Sequence, residues 1–228
     1  STGRPKGAMV HRAGLGNHLR AKIEELGLTA RDSIVQNASP AFDISVWQML
    51  APLAVGGRVE VVDNDTALDP NTLFGLVAQR RISVLEVVPS LLRAALDAWD
   101  ADAPAPELPA LRYLMVTGEA LPPDLCARWF DRFPHLPMIN AYGPTECSDD
   151  VTHAVLTGAV EGPRVPIGSA IRNTTLAVLD AWGEPLPDGV PGELHVGGVA
   201  VGRGYLGRPE LTAERFVPDP QGPPGARR

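Results

Sequence analysis

Short apolar runs alternate with helix-period segments along the first two-thirds of the chain, and this alternation restricts the fold more than any other feature. Leu15, Leu19, Ile23 and Leu26 recur at helical spacing, and Gly27 behind them reads as a C-cap. Strand-like runs follow at 33–38, 58–62, 82–88, 112–116 and 138–141. Helical patterns occupy 45–55, 71–80, 90–99 and 123–133, the last with Pro123 in its first turn, where the missing N–H is harmless. Strand and helix taking turns in this way predicts a parallel sheet with helices on both faces, because every crossover must return the chain to the same end of the sheet. Past about residue 166 the texture changes. Strands at 175–180 and 193–196 are separated by turns such as Pro187-Asp188-Gly189, and a helical stretch at 211–216 follows. The expected organisation is an α/β part over 1–165 and a β-rich subdomain over 166–228.

Charge and composition remove several classes of function. Twenty basic against 27 acidic residues give a net charge of -7, with no run of Lys or Arg, so neither nucleic acid nor an anionic membrane is an expected partner. No apolar stretch approaches bilayer length and no charged-then-apolar leader opens the chain, which predicts a cytoplasmic protein. Cys126 and Cys147 are too few for a disulfide framework and lack zinc-ligand spacing, so free thiols are expected. The five histidines are scattered, giving no sequence support for an imidazole metal site. The chain opens on loop composition and closes on a Pro/Gly-rich tail, and neither end reads as a domain boundary.

In open α/β sheets ligands bind beyond the carboxyl ends of the strands, which directs attention to Glu86, Met115, Thr117 and Ala141 and to the loop 140–150. Ser1-Thr2-Gly3-Arg4-Pro5-Lys6-Gly7 has the hydroxyls, glycines and lysine of a phosphate-gripping loop, yet lacks Walker spacing, and it reads equally as an exposed linker. Asn140-Ala141-Tyr142-Gly143-Pro144-Thr145-Glu146 offers more. Tyr142 has a ring face for a purine, Asn140 an amide for its edge, Thr145 a hydroxyl for phosphate and Glu146 a hard oxygen for Mg²⁺. A strand-ending turn would account for Gly143 and Pro144 alone.

These segments, together with AFDISVWQ (41–48) and GELHVGGVAVGRGYLGRPELTAERF (192–216), resemble in order and spacing the adenylation domains of nonribosomal peptide synthetases. The resemblance covers essentially the whole chain and extends to acyl-CoA synthetases and luciferase. It implies part of a large α/β adenylation core followed by a truncated, barrel-like β subdomain, with the small C-terminal domain and its lysine absent, so that the segment alone is expected to be inert. It implies that Ser1, Thr2, Gly3 and Lys6 lie over the ATP phosphates. Asn140 and Tyr142, with Gly143, would meet adenine; Gly118 and Glu119 would border it. Thr145 would meet phosphate and Glu146 would hold Mg²⁺, these two being the catalytic pair.

The activity implied is attack of an amino-acid carboxylate on ATP, giving aminoacyl-AMP and pyrophosphate, and then loading onto the phosphopantetheine of a carrier domain. Peptidyl carrier and condensation domains are the implied partners. Asp43 would hold the substrate's α-ammonium, although it also stands where a helix N-cap belongs. The side-chain pocket would be lined by Asp43, Ile44, Trp47, Glu86, Met115, Thr117, Ala141, Asp149 and Asp150. Glu86, Asp149 and Asp150 ask for a cationic side chain, and Glu86 interrupts an apolar strand with no structural use apparent from the sequence. The set resembles pockets for 2,4-diaminobutyrate, with ornithine, lysine and arginine next. The alternative for Asp149 and Asp150 is a pair of solvated loop charges. An acyl-CoA ligase, which needs no acid for an α-ammonium, and a non-catalytic remnant are the rival readings.

Overall fold

The computed structural model describes residues 6–101 and 103–228. In chain order the elements begin with β1 (Ala8–Met9), α1 (Arg12–Glu25), β2 (Ser33–Gln36), α2 (Ile44–Ala54), β3 (Arg58–Val61), α3 (Asn64–Leu68), α4 (Pro70–Gln79), β4 (Val84–Val87) and α5 (Pro89–Asp100). They continue with β5 (Tyr113–Val116), α6 (Pro123–Arg132), β6 (Met138–Tyr142), β7 (Thr152–Leu156), β8 (Ser169–Ala170), β9 (Thr174–Leu179), β10 (Glu193–Gly198), β11 (Gly204–Tyr205) and α7 (Pro209–Arg215). Two compact units result: a larger one from Leu19–Tyr142 and Thr152–Ser169, and a smaller one from residues up to His18, Gly143–Val151 and Ala170–Arg228.

The larger unit is built on a sheet of order β3-β2-β4-β5-β6-β7, with β8 as the outermost strand. The pairs β3-β2, β2-β4, β4-β5 and β5-β6 are parallel, as the alternating pattern predicts. Strand β7 is the exception. It returns antiparallel to β6, from Met138 opposite Leu156 to Tyr142 opposite Thr152. Its sequence, Thr-His-Ala-Val-Leu, carries too weak an alternation to announce it.

Period-two geometry divides the strand side chains between two layers of helix. Leu85, Val87, Leu114 and Val116 pack with Leu73, Phe74 and Val77 of α4, Leu92 and Leu96 of α5, and Leu125 and Trp129 of α6. Val84, Met115, Ile139 and Ala141 pack on the other face with Leu19 and Ile23 of α1 and Ile44, Trp47 and Ala51 of α2. The inner strands β2, β4, β5 and β6 are therefore covered on both sides, which is why their runs read as continuous apolar segments. Caps mark where the helices start. Asp69 accepts from Thr72 N at 3.0 Å ahead of Pro70, and the hydrogen bonds from Thr72 hold its carboxyl below the usual range.

In the smaller unit β9 and β10 form an antiparallel pair, Glu193 opposite Leu179 through Gly198 opposite Thr174, while β1 pairs with β11. Cys147, Val151, Val196 and Ala200 make one buried cluster, and Val201, Tyr205 and Phe216 with Ala8 and Leu211 another. Both cysteines are free and buried, and burial pushes the Cys126 thiol up to about 11 and the Cys147 thiol up to about 12. They are inert thiols of the core. Among the described residues no helix is long and apolar enough to cross a membrane.

Candidate functional site

The register of the larger unit assembles one group of side chains. Glu86 pairs with Met115, and Met115 with Ile139, so the two-residue period carries Thr117 and Ala141 to the same face as Glu86. These residues lie at or near the carboxyl ends of parallel strands, where such sheets bind ligands. Trp47, fully buried on α2, packs in the same layer and donates from Nε1 to Glu86 Oε2 at 2.8 Å. Gln48 Nε2 lies 3.3 Å from the same oxygen. Lys22 of α1 approaches the other oxygen, with Nζ 3.8 Å from Oε1, 4.5 Å from the Trp47 ring centroid and 3.7 Å from Met115 Sδ.

The expectation that Glu86 has no structural use is thereby corrected: its carboxylate joins α1 and α2 to β4. Sequence reasoning missed Lys22, although a signal was present. It lies three residues after Leu19 and four before Leu26, on the apolar stripe of its helix, where a lysine needs a partner.

Asp43 is the N-cap of α2, its Oδ1 accepting from Ile44 N at 3.0 Å. Asp43 and Ile44 are both half-buried, so the cap and an interaction with a ligand ammonium are compatible uses of the two carboxylate oxygens. Gly118 has φ +82, a conformation costly for any residue with a Cβ. Glu119 meets the start of α5, accepting from Ser90 Oγ at 2.8 Å and Ser90 N at 3.1 Å. Tyr142 exposes its ring, as a stacking platform must. Asn140, two residues earlier on β6 and so on the same face as Tyr142, is 4% exposed, and its Nδ2 donates to Pro166 O at 2.8 Å.

In the smaller unit Glu146 sits in a single 3-10 turn, Thr145–Cys147, with Thr145 exposed beside it. Lys6 Nζ lies 3.7 Å from Glu146 Oε1, and Tyr205 O–H donates to the same oxygen. Oε2 has no hydrogen-bond partner among the described residues. Burial and the adjacent Glu146 carboxylate push the Tyr205 phenol up to about 12. Lys6 also stands 5.0 Å over the Tyr205 ring centroid. Tyr205 belongs to the 192–216 segment, and nothing in its own spacing marks it. Ser1, Thr2 and Gly3 lie outside the described residues.

Gly143 is tightly enclosed by the loop that follows it, since a Cβ there would stand 2.1 Å from Asp149 O. Ser148 and Asp149 both have positive φ, 65 and 82, so this loop carries backbone strain of the kind that concentrates at functional sites. Asp149 and Asp150 are 5% and 1% exposed, which rules out the alternative of solvated loop charges. His18 Nε2 is 3.2 Å from Asp149 Oδ2, and the ligating atoms of His18, Asp149 and Asp150 lie within 4.8 Å of one another. The histidines are thus not all remote from the site residues, a grouping that only folding reveals.

The family described as AMP-binding enzyme matches residues 1–206. Phosphinothricin tripeptide synthetase PhsB of Streptomyces viridochromogenes is 42% identical over 227 residues, covering 100% of this chain and 19% of that protein. Enterobactin synthase component F of Escherichia coli is 37% identical over 98% of this chain and 18% of its own length. The chain therefore spans about a fifth of the curated relatives it matches. The crystal structure of the nonribosomal peptide synthetase FmoA3 (S1046A) superposes with a TM-score of 0.89 at 29% identity, over 99% of this chain and 24% of that one.

Proposed function

The chain belongs to the AMP-binding enzyme family, and from that premise we propose that it is part of an adenylation domain that activates an amino acid with ATP for nonribosomal peptide synthesis. In this reading the β-rich region contributes to a barrel-like subdomain. The observation that carries the reading is the acid-bearing side-chain set at the carboxyl ends of β4, β5 and β6 of the larger unit; within the smaller unit, Glu146 stands with Lys6 and Thr145.

The chemistry is an in-line displacement. A carboxylate oxygen of the amino acid forms a bond to the α-phosphorus, the bond to the bridging oxygen breaks, and pyrophosphate leaves with the electron pair. No protein nucleophile is required, so rate comes from orientation and charge neutralisation. Asp43 would hold the α-ammonium, and Tyr142 would stack on the adenine. Lys6 and Thr145 would contact phosphate oxygens. Mg²⁺ would be held by Glu146, whose Oε2 suits a cation that takes one protein carboxylate and completes its shell with phosphates and water. The ion supplies charge neutralisation to the phosphates. Loading of the product onto a phosphopantetheine carrier, beside a condensation domain, follows from the same reading.

For the substrate we propose an amino acid with a cationic side chain, 2,4-diaminobutyrate fitting the residue set best. Support comes from buried carboxylates at the positions that the resemblance brings to the side chain: Glu86 in the larger unit, which Lys22 meets, and Asp149 and Asp150 in the smaller, of which Asp149 faces His18. The test is amino-acid-dependent ATP–pyrophosphate exchange by the intact synthetase that carries this segment. Diamino acids should lead the panel. Preference for leucine, phenylalanine or an acidic amino acid overturns the substrate, and exchange with no amino acid overturns the activity.

A further inference from the structure

On the adenylation reading just given, we propose that Lys22 is a specificity-determining residue: an internal cation that holds the charge of Glu86 and so sets how strongly the pocket selects a positive side chain. It lies outside the nine positions that the family resemblance brings to the side chain. Its ammonium nevertheless touches three of them, Glu86, Trp47 and Met115, and it is 0% exposed. Trp47 and Gln48 both bind Glu86 Oε2, which turns Oε1 toward Lys22. The carboxylate is thus oriented from two sides before any ligand arrives.

Stability alone is a weak reason for such a pair. The desolvation of two buried charges commonly equals or exceeds their attraction, and apolar replacements of similar volume are often neutral or stabilising. The charge state of the pair has a direct effect on recognition. With Lys22 present, Glu86 and Lys22 together contribute no net charge beneath the substrate side chain. Removing the Lys22 charge leaves the buried carboxylate without that ammonium, and a substrate ammonium becomes a means of balancing it. Selectivity for cations should therefore follow the sum of the two charges rather than the presence of Glu86 alone.

The test measures pyrophosphate exchange by the intact synthetase with 2,4-diaminobutyrate and with norvaline, its neutral isostere. Lys22→Met is expected to raise the ratio of kcat/KM values, diaminobutyrate over norvaline, by about 10-fold or more, since a buried charge pair is worth several kcal/mol when one side is removed. Lys22→Gln, which keeps a polar reach toward Glu86 without charge, should move the ratio the same way and serves if the methionine variant is insoluble. The neutral double variant Lys22→Met/Glu86→Gln should return the ratio to within about threefold of wild type, as a coupled pair requires. A merely structural lysine would depress both substrates equally and leave the ratio unchanged, and that result in either single variant overturns the proposal. Wild-type protein that exchanges pyrophosphate with no amino acid overturns the adenylation reading itself, and this inference with it.

Discussion

Gly143→Ala tests how the loop after β6 is constructed. An added Cβ would stand 2.1 Å from Asp149 O, 2.5 Å from Asp150 Cα and 2.7 Å from Asp149 C. All three are backbone atoms, so no side chain can rotate away. Approaches under 3.0 Å are essentially never seen, and relief therefore demands about 0.9 Å of movement in the segment that carries Asp149 and Asp150. Overpacking against backbone costs about 1–3 kcal/mol. A shift of about 1 Å in groups that position reactants costs on the order of 100-fold in rate. The variant should therefore lose about that factor in kcat/KM for amino-acid-dependent exchange, with a lowered Tm. Gly75→Ala on α4 is the control. Nothing lies within 4 Å of an added Cβ there, so it should stabilise by about 0.5–1 kcal/mol and leave exchange intact. A Gly143→Ala enzyme that keeps exchange within about threefold of wild type would refute the reasoning.

Two further outcomes are expected. Glu146→Gln in the intact synthetase should raise KM for MgATP about 10-fold or more while leaving KM for the amino acid nearly unchanged, and a selective rise for the amino acid would reject the assignment of Glu146 to the metal. Tyr205 should ionise near pH 12 rather than about 10 in an ultraviolet phenolate titration, because burial and Glu146 both disfavour the phenolate. Its folded value lies above the unfolded one, so its contribution to stability is complete below about pH 10 and is lost as pH rises through about 12. Glu146→Gln should bring that ionisation down, and a wild-type protein with every phenol ionised by about pH 10.5 would contradict the contact.

Much of the architecture was legible before folding, because helical and two-residue periods are local properties. The stripe Leu15, Leu19, Ile23 and Leu26 announces α1, and the apolar runs announce β2 to β6 within a residue or two of their ends. The residue types gathered around Tyr142 and Glu146 were legible too, since their chemistry is carried by a short contiguous segment. Strand β7 was not, because its pairing with β6 comes from the partner strand and not from its own pattern. Nor were the partners of the site residues. Asn140 and Ala141 are neighbours in sequence, yet the pleat sends one to Pro166 and the other to the layer of Trp47. Tyr205 reaches Glu146 across 59 residues, and Trp47 reaches Glu86 across 39. Sequence by itself determined which elements form and which chemical groups are present. Tertiary structure alone decided that Glu86 faces Lys22 and that His18 faces Asp149. The charge at a buried position depends on partners brought by register and helix packing, and those distances are written in no local stretch of the chain.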